Sequence, residues 1–137
     1  LGEFARRTFN HLSGGEQQQV LIGRALAQGA EVLLFDEPTN NLDLLHQLHI
    51  MRLVRATARE NHTTSIMAIH DLNLAAAFSD RIVMLHDGGV YASGSPAEVF
   101  TTSAVREVFG VDVKTYDHHG IPHIVMLPGS AQVAAGE

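Results

Sequence analysis

The sequence contains no cysteine. Disulfides and thiolate metal sites are therefore excluded, and a reducing compartment fits. Positive charge is scarce: nine Lys and Arg stand against fifteen Asp and Glu, a formal charge of −6. Phosphate backbones need Lys/Arg patches, so a nucleic acid partner is not expected. No run approaches the ~20 apolar residues of a membrane helix, and no signal peptide opens the chain, so direct membrane insertion is not expected either. The phosphate-gripping pattern GxxxxGK[ST] occurs nowhere, and the first residue is Leu1 rather than methionine. The expectation is a chain that starts inside a longer reading frame or was processed. What is present is 137 residues with 45% hydrophobic content, a modest globular domain that buries roughly 65–70% of its unfolded surface.

Residues 1–11 form a lead-in with an Arg-Arg pair. A helical composition follows from Glu16 to Gln28, with Ser13 placed as N-cap, Glu16 at capping-box spacing and Gly29 just past the end. Val32 to Phe35 is an unbroken apolar run before turn formers and predicts a strand buried on both faces. A helix is expected from about Leu44 to Arg59, with Ile50, Leu53 and Val54 facing inward. Thr64 to Ile69 predicts a second strand, ending in His70-Asp71, and Leu72 to Phe78 a short alanine-rich helix. "RIVMLHDGGVYASG" predicts a hairpin about Gly88-Gly89. Two short helices, Pro96 to Phe100 and Ser103 to Phe109, precede a small hairpin, Val113 to Tyr116 with His123 to Leu127, and the last residues read as a frayed tail. Strands alternating with helices indicate an α/β fold with a parallel sheet.

Ligands of open α/β sheets sit beyond the carboxyl ends of the strands. Two predicted strands end there in useful chemistry, Asp36-Glu37 and His70-Asp71. Strands end in polar turns in any case, so either site alone has an ordinary explanation. The stretch "LSGGEQQQ" (residues 12–19) adds Ser13, Gly14 and Gly15 at a helix N-terminus, where backbone N–H groups make an anion site.

In order and spacing these landmarks resemble the ATP-binding cassette (ABC) ATPases over residues 6–127. Residues 12–19 look like that family's signature motif, 32–37 like its Walker B strand with the catalytic glutamate, 40–43 like its D-loop, and His70 like its switch histidine. The resemblance implies a P-loop NTPase-like parallel sheet flanked by helices, incomplete because the Walker A half is missing, with small C-terminal β-hairpins. It divides the chain into the end of a helical subdomain (1–28), the C-terminal part of the ATPase core (29–110) and an appendage with tail (111–137).

The resemblance also implies roles. Ser13, Gly14, Gly15 and Glu16 would meet ATP held by the Walker A lysine of a partner subunit in a head-to-tail dimer. Glu37 would polarise the attacking water as general base, and His70 would touch the γ-phosphate and orient that water. Asp36 would hold Mg²⁺ through its waters. Asn41, Leu42 and Asp43 would form a D-loop crossing the dimer interface. Each acid keeps a plainer alternative: Asp36 as a helix cap, Glu37 as a solvated acid, Asp43 as an N-cap. ATP and Mg²⁺ are the implied cofactors. A second nucleotide-binding subunit and transmembrane permease subunits are the implied partners, on the cytoplasmic face of the membrane. The isolated chain is expected to be inactive.

Departures from the family pattern are Gln19, where Arg or Lys is usual, and "TNNLD" in place of "TSALD". The latter, with "HDLNLAAAFSDRIVMLHDGGVYASG" and "GIPHIVMLP", is most like importers of siderophores, haem and cobalamin. The rivals are an ABC ATPase that moves no solute, as in DNA repair or translation, and an inactive binding fragment. Sustained heptads, common in the repair proteins, are absent. The pair His46/His49 and the trio His118/His119/His123 match no ligand motif and read as solvent-facing.

Overall fold

The computed structural model describes residues 6–127. The tail expected past Leu127 lies outside the described residues. The chain divides into two compact units, residues 1–70 and 71–137.

In the first unit α1 (Gly14–Leu26) is followed by β1 (Val32–Asp36), α2 (Leu44–Glu60) and β2 (Thr64–Ala68). Both helix starts are chemically marked. Ser13 and Glu16 complete the expected capping box, and Asp43 accepts from the His46 backbone N–H. These caps satisfy N–H groups that the helix itself cannot. Gly29, at φ 65, takes the left-handed turn after α1. The strands pair in parallel with Val32 opposite Thr64 and Asp36 opposite Ala68. One face of this pair meets the helices: Ile22, Ile50 and Val54 form a buried cluster, with Leu26, Phe35, Leu42, Leu53 and Met67 packed on it.

The burial of β1 departs from expectation. Leu33 is buried, whereas Val32 and Leu34 are 54% and 75% exposed. Both helices of this unit cover the same face of the strand pair, so the alternate side chains have no cover among the described residues.

The second unit holds α3 (Leu72–Phe78), β3 (Ile82–His86), β4 (Gly89–Gly94), α4 (Pro96–Val99), α5 (Thr102–Phe109), β5 (Val113–His118) and β6 (Ile121–Met126). β3–β4 and β5–β6 are antiparallel hairpins. The first turns on Asp87-Gly88, not Gly88-Gly89: those two residues have φ 47 and 75, while Gly89 begins β4. Positive φ at both central positions suits the twist of a two-residue hairpin. The second turns the same way on His119-Gly120, at φ 54 and 82, and its strands run longer than predicted. Asn73 joins α3 to β6: its Oδ1 accepts from the Ile124 N–H at 2.7 Å and its Nδ2 donates to the Ile124 carbonyl at 3.0 Å.

Candidate functional site

The level register of β1 and β2 decides where the polar strand ends fall. The Glu37 N–H donates to the Ala68 carbonyl at 3.2 Å, extending the ladder by one residue. Glu37 then turns into the left-handed region at φ 44. Its carboxylate is gripped from two sides. His70, two residues beyond β2, gives its Nε2–H to Oε1 at 2.5 Å, and Asn40 donates Nδ2 to Oε2 at 2.7 Å. A carboxylate can only accept, so this contact fixes the proton on Nε2 and leaves Nδ1 as the second ring nitrogen. The imidazole is 84% exposed and the glutamate side chain 33%. An acid and a histidine from different strands therefore meet at one strand end. A carboxylate oxygen still has a lone pair for a water beside the histidine.

Asp36 is exposed at the end of β1. Among the described residues its carboxylate has no hydrogen bond or ion pair. A free hard-oxygen donor of this kind fits Mg²⁺, which binds through one or two carboxylates with waters and phosphates supplying the rest. No group of three or more candidate ligands occurs among the described residues, so a closed protein cage is not what is offered.

The turn after Glu37 is clamped by amide side chains. Gln18 of α1 donates to the Pro38 carbonyl at 3.1 Å, and Gln47 of α2 donates to the carbonyls of Leu42 at 3.1 Å and Thr39 at 3.4 Å. Asn41 is exposed at φ 57, a conformation asparagine tolerates. Leu42 packs against the core cluster. Asp43 Oδ1 accepts from both the backbone N–H and the Nδ1–H of His46, at 2.9 and 2.8 Å. These hydrogen bonds hold the Asp43 carboxyl below its ordinary range, the backbone one having the larger effect. His46 is thus not solvent-facing as expected: its side chain is 29% exposed and seated beside Gly15.

At the turn that opens α1, the Ser13 N–H donates to Glu16 Oε2 at 2.8 Å and Ser13 Oγ accepts from the Glu16 N–H at 3.3 Å. The Ser13 backbone N–H, then its side chain, pull the Glu16 carboxyl below the usual range, with Arg7 adding a smaller effect. The N–H groups of Gly14 and Gly15 have no acceptor among the described residues and are the free donors at this helix end.

The structure brings Glu37, His70 and Asn40 into one cluster and links Gly15 to Asp43 through His46. Sequence reasoning gave no role of their own to Gln18 and Asn40, which lie inside the stretches 12–19 and 40–43, and none to His46 and Gln47. The available signal was their type: amide or imidazole side chains within a turn or two of "SGGE" and "TNNLD".

Residues 1–40 match the family model described as ABC transporter. The chain is 46% identical to an uncharacterized ABC transporter ATP-binding protein of Methanocaldococcus jannaschii, over 93% of this chain and 50% of that protein. It is also 46% identical to a hemin import ATP-binding protein of Rhodococcus jostii, over 91% of this chain and 42% of that one. The chain belongs to the ATP-binding cassette family. A solved ABC transporter described as of metal-chelate type, in an inward-facing conformation, superposes with TM-score 0.80 at 27% identity, covering 91% of this chain and 52% of that one. The α/β fold of the ABC cassettes is thus the fold of this chain. The chain spans about half the length, or less, of these curated relatives.

Proposed function

We propose that this chain is the Walker B, signature and switch portion of an ATP-hydrolysing importer subunit. Its cargo class would be metal chelates. The observation that carries the reading is the 2.5 Å bond between His70 Nε2 and Glu37 Oε1 at the carboxyl ends of the paired strands. Glu37 would accept the proton of the attacking water while His70 and Asn40 hold its carboxylate in one orientation. His70 would reach the transferring phosphate through Nδ1 or through a water. Asp36 would hold Mg²⁺ through waters. When bound, the metal would neutralise charge on the phosphates.

The Walker A lysine required by this reading is not among the 137 residues, so it must come from sequence outside them. Support for the signature role comes from Gly14: a side chain there would meet nothing within 4 Å, and its φ is not positive. Among the described residues no packing demand calls for glycine at that position, which suits a backbone approached by a phosphate from outside. A dimeric ATP-binding cassette bound to ADP and Pi shares this fold at TM-score 0.60 and 38% identity, over 70% of this chain and 41% of that one. A head-to-tail dimer carried by permease subunits is the assembly that reading implies. Curated relatives named for importing hemin, cobalamin and iron(3+)-hydroxamate support the cargo class.

In the complete ATPase, Glu37→Gln should cut turnover by on the order of 10²–10⁴ while ATP binding persists. Steady-state hydrolysis within a few-fold of the parent would remove Glu37 as the base. The 137-residue chain alone should bind MgATP weakly and hydrolyse none, and submicromolar binding by titration calorimetry would contradict the assignment.

A further inference from the structure

Gly15 is a glycine for a reason inside this chain. A Cβ built on it would lie 2.7 Å from Cδ2 and 2.9 Å from Cγ of His46. Those distances are far inside the 3.5–4.0 Å optimum for carbon contacts. The obstacle is a ring rather than the end of a flexible chain, and the ring is pinned. Asp43 Oδ1 takes both the His46 Nδ1–H and the His46 backbone N–H, so the carboxylate that caps α2 also fixes the imidazole. Asp43, His46 and Gly15 form one stack from the D-loop to the signature turn.

We propose that His46 is a positioning residue that locks the signature turn and the D-loop of the same subunit in a single register. Resting on the ATPase reading above, it gives these two loops, which that reading sends to the subunit interface, a common support. The free N–H groups of Gly14 and Gly15 are then presented to phosphate already oriented, and such preorganisation lowers the ordering cost of binding. Glu37 and His70 stand at the strand ends and bond to each other, Glu37 also to Asn40, whereas the His46 ring bonds to Asp43. Loss of the ring should therefore weaken nucleotide engagement more than it slows the chemical step.

The test is a double-mutant cycle in the complete ATPase, with KM and kcat for MgATP as readouts. His46→Ala should raise KM about tenfold with kcat within about threefold, and His46→Asn, whose Nδ2–H can reach Asp43, should recover most of the loss. Gly15→Ala should cost at least about fivefold more in KM beside the native histidine than when added to His46→Ala, because the part of its penalty that comes from overpacking vanishes with the ring. An equal Gly15→Ala penalty in both backgrounds, or a His46→Ala effect on kcat alone, overturns the proposal. If the unmodified protein hydrolyses no ATP, the functional reading fails first. The stack is then decided by thermal unfolding of the chain: Gly15→Ala should lower the midpoint beside His46 but not beside Ala, and equal losses would sink it.

Discussion

Glu37 carries the proposed chemistry on a backbone that other residues avoid. At φ 44 it sits in the left-handed region, where a non-glycine residue costs about 1–3 kcal/mol. Its surroundings over-determine the conformation: the N–H is bonded to Ala68, the carbonyl accepts from the Asn40 N–H, and Pro38 beyond it is fully buried. Replacing the glutamate with Gly or with Ala removes the same carboxylate, so the two variants differ chiefly in backbone strain. Glu37→Gly should therefore be more stable than Glu37→Ala by about 1 kcal/mol in urea unfolding, the reverse of their order in an ordinary helix. Equal stabilities would mean that the turn relaxes and stores no strain. Position and residue type made Glu37 legible in the sequence, since an apolar run followed by Asp-Glu-Pro ends a strand with acids. Its φ and its bond to His70 were not, because both depend on a partner strand distant in the chain. The seat of His46 was hidden for the same reason: a histidine that matches no ligand motif reads as solvent-facing, and only the fold brings Gly15 against it.

Helix ends are where local chemistry specifies this fold most directly. Ser13, Asp43, Asp71, Ser95 and Thr101 each cap a helix start with a side-chain oxygen. The starts of α1 and α2 were readable from such residues, and so was the hairpin turn, because Asp87-Gly88 is the pair a type I′ turn prefers; the burial of β1 alone needed tertiary knowledge. Two of the caps are reciprocal boxes, and in both the glutamate titrates below its usual range. Hydrogen bonds from the Ser13 backbone act on Glu16, and those from the Ser95 backbone act on Glu98. Folded-state values below the unfolded ones mean that this stabilisation is present in full above the ordinary carboxylate range, about pH 4–5. It is lost as pH falls through the lower folded values. The thermal midpoint should thus decline on acidification through that window. Glu16→Gln with Glu98→Gln, which keep an acceptor but do not titrate, should flatten the decline. A double variant whose midpoint falls as steeply as the parent's would place the acid sensitivity elsewhere.

At the scale of the whole molecule, the first unit presents an apolar sheet face with no cover among the described residues. Val32, Leu34 and Ile66 project from it, and each is more than half exposed. Among the described residues β1 pairs only with β2, so both outer edges of the pair lack a neighbouring strand there, a template for further strands. A net charge of −6 opposes association but acts over about 8–10 Å at ordinary ionic strength, too short to guard against close apolar contact once salt is added. The purified chain should accordingly associate as concentration and salt rise, seen as an increasing weight-average mass in sedimentation. Leu34→Lys puts a charge at the centre of the face and should suppress association while changing the chain's own stability by no more than about 0.5 kcal/mol, as for an exposed site. In the complete ATPase the proposed function requires further sequence, and a strand as apolar as β1 is suited to burial on both sides. There the same substitution should be severely destabilising, because it would bury an unpaired ammonium. A chain that stays monomeric throughout, or a complete protein indifferent to Leu34→Lys, would show that this face is built for water.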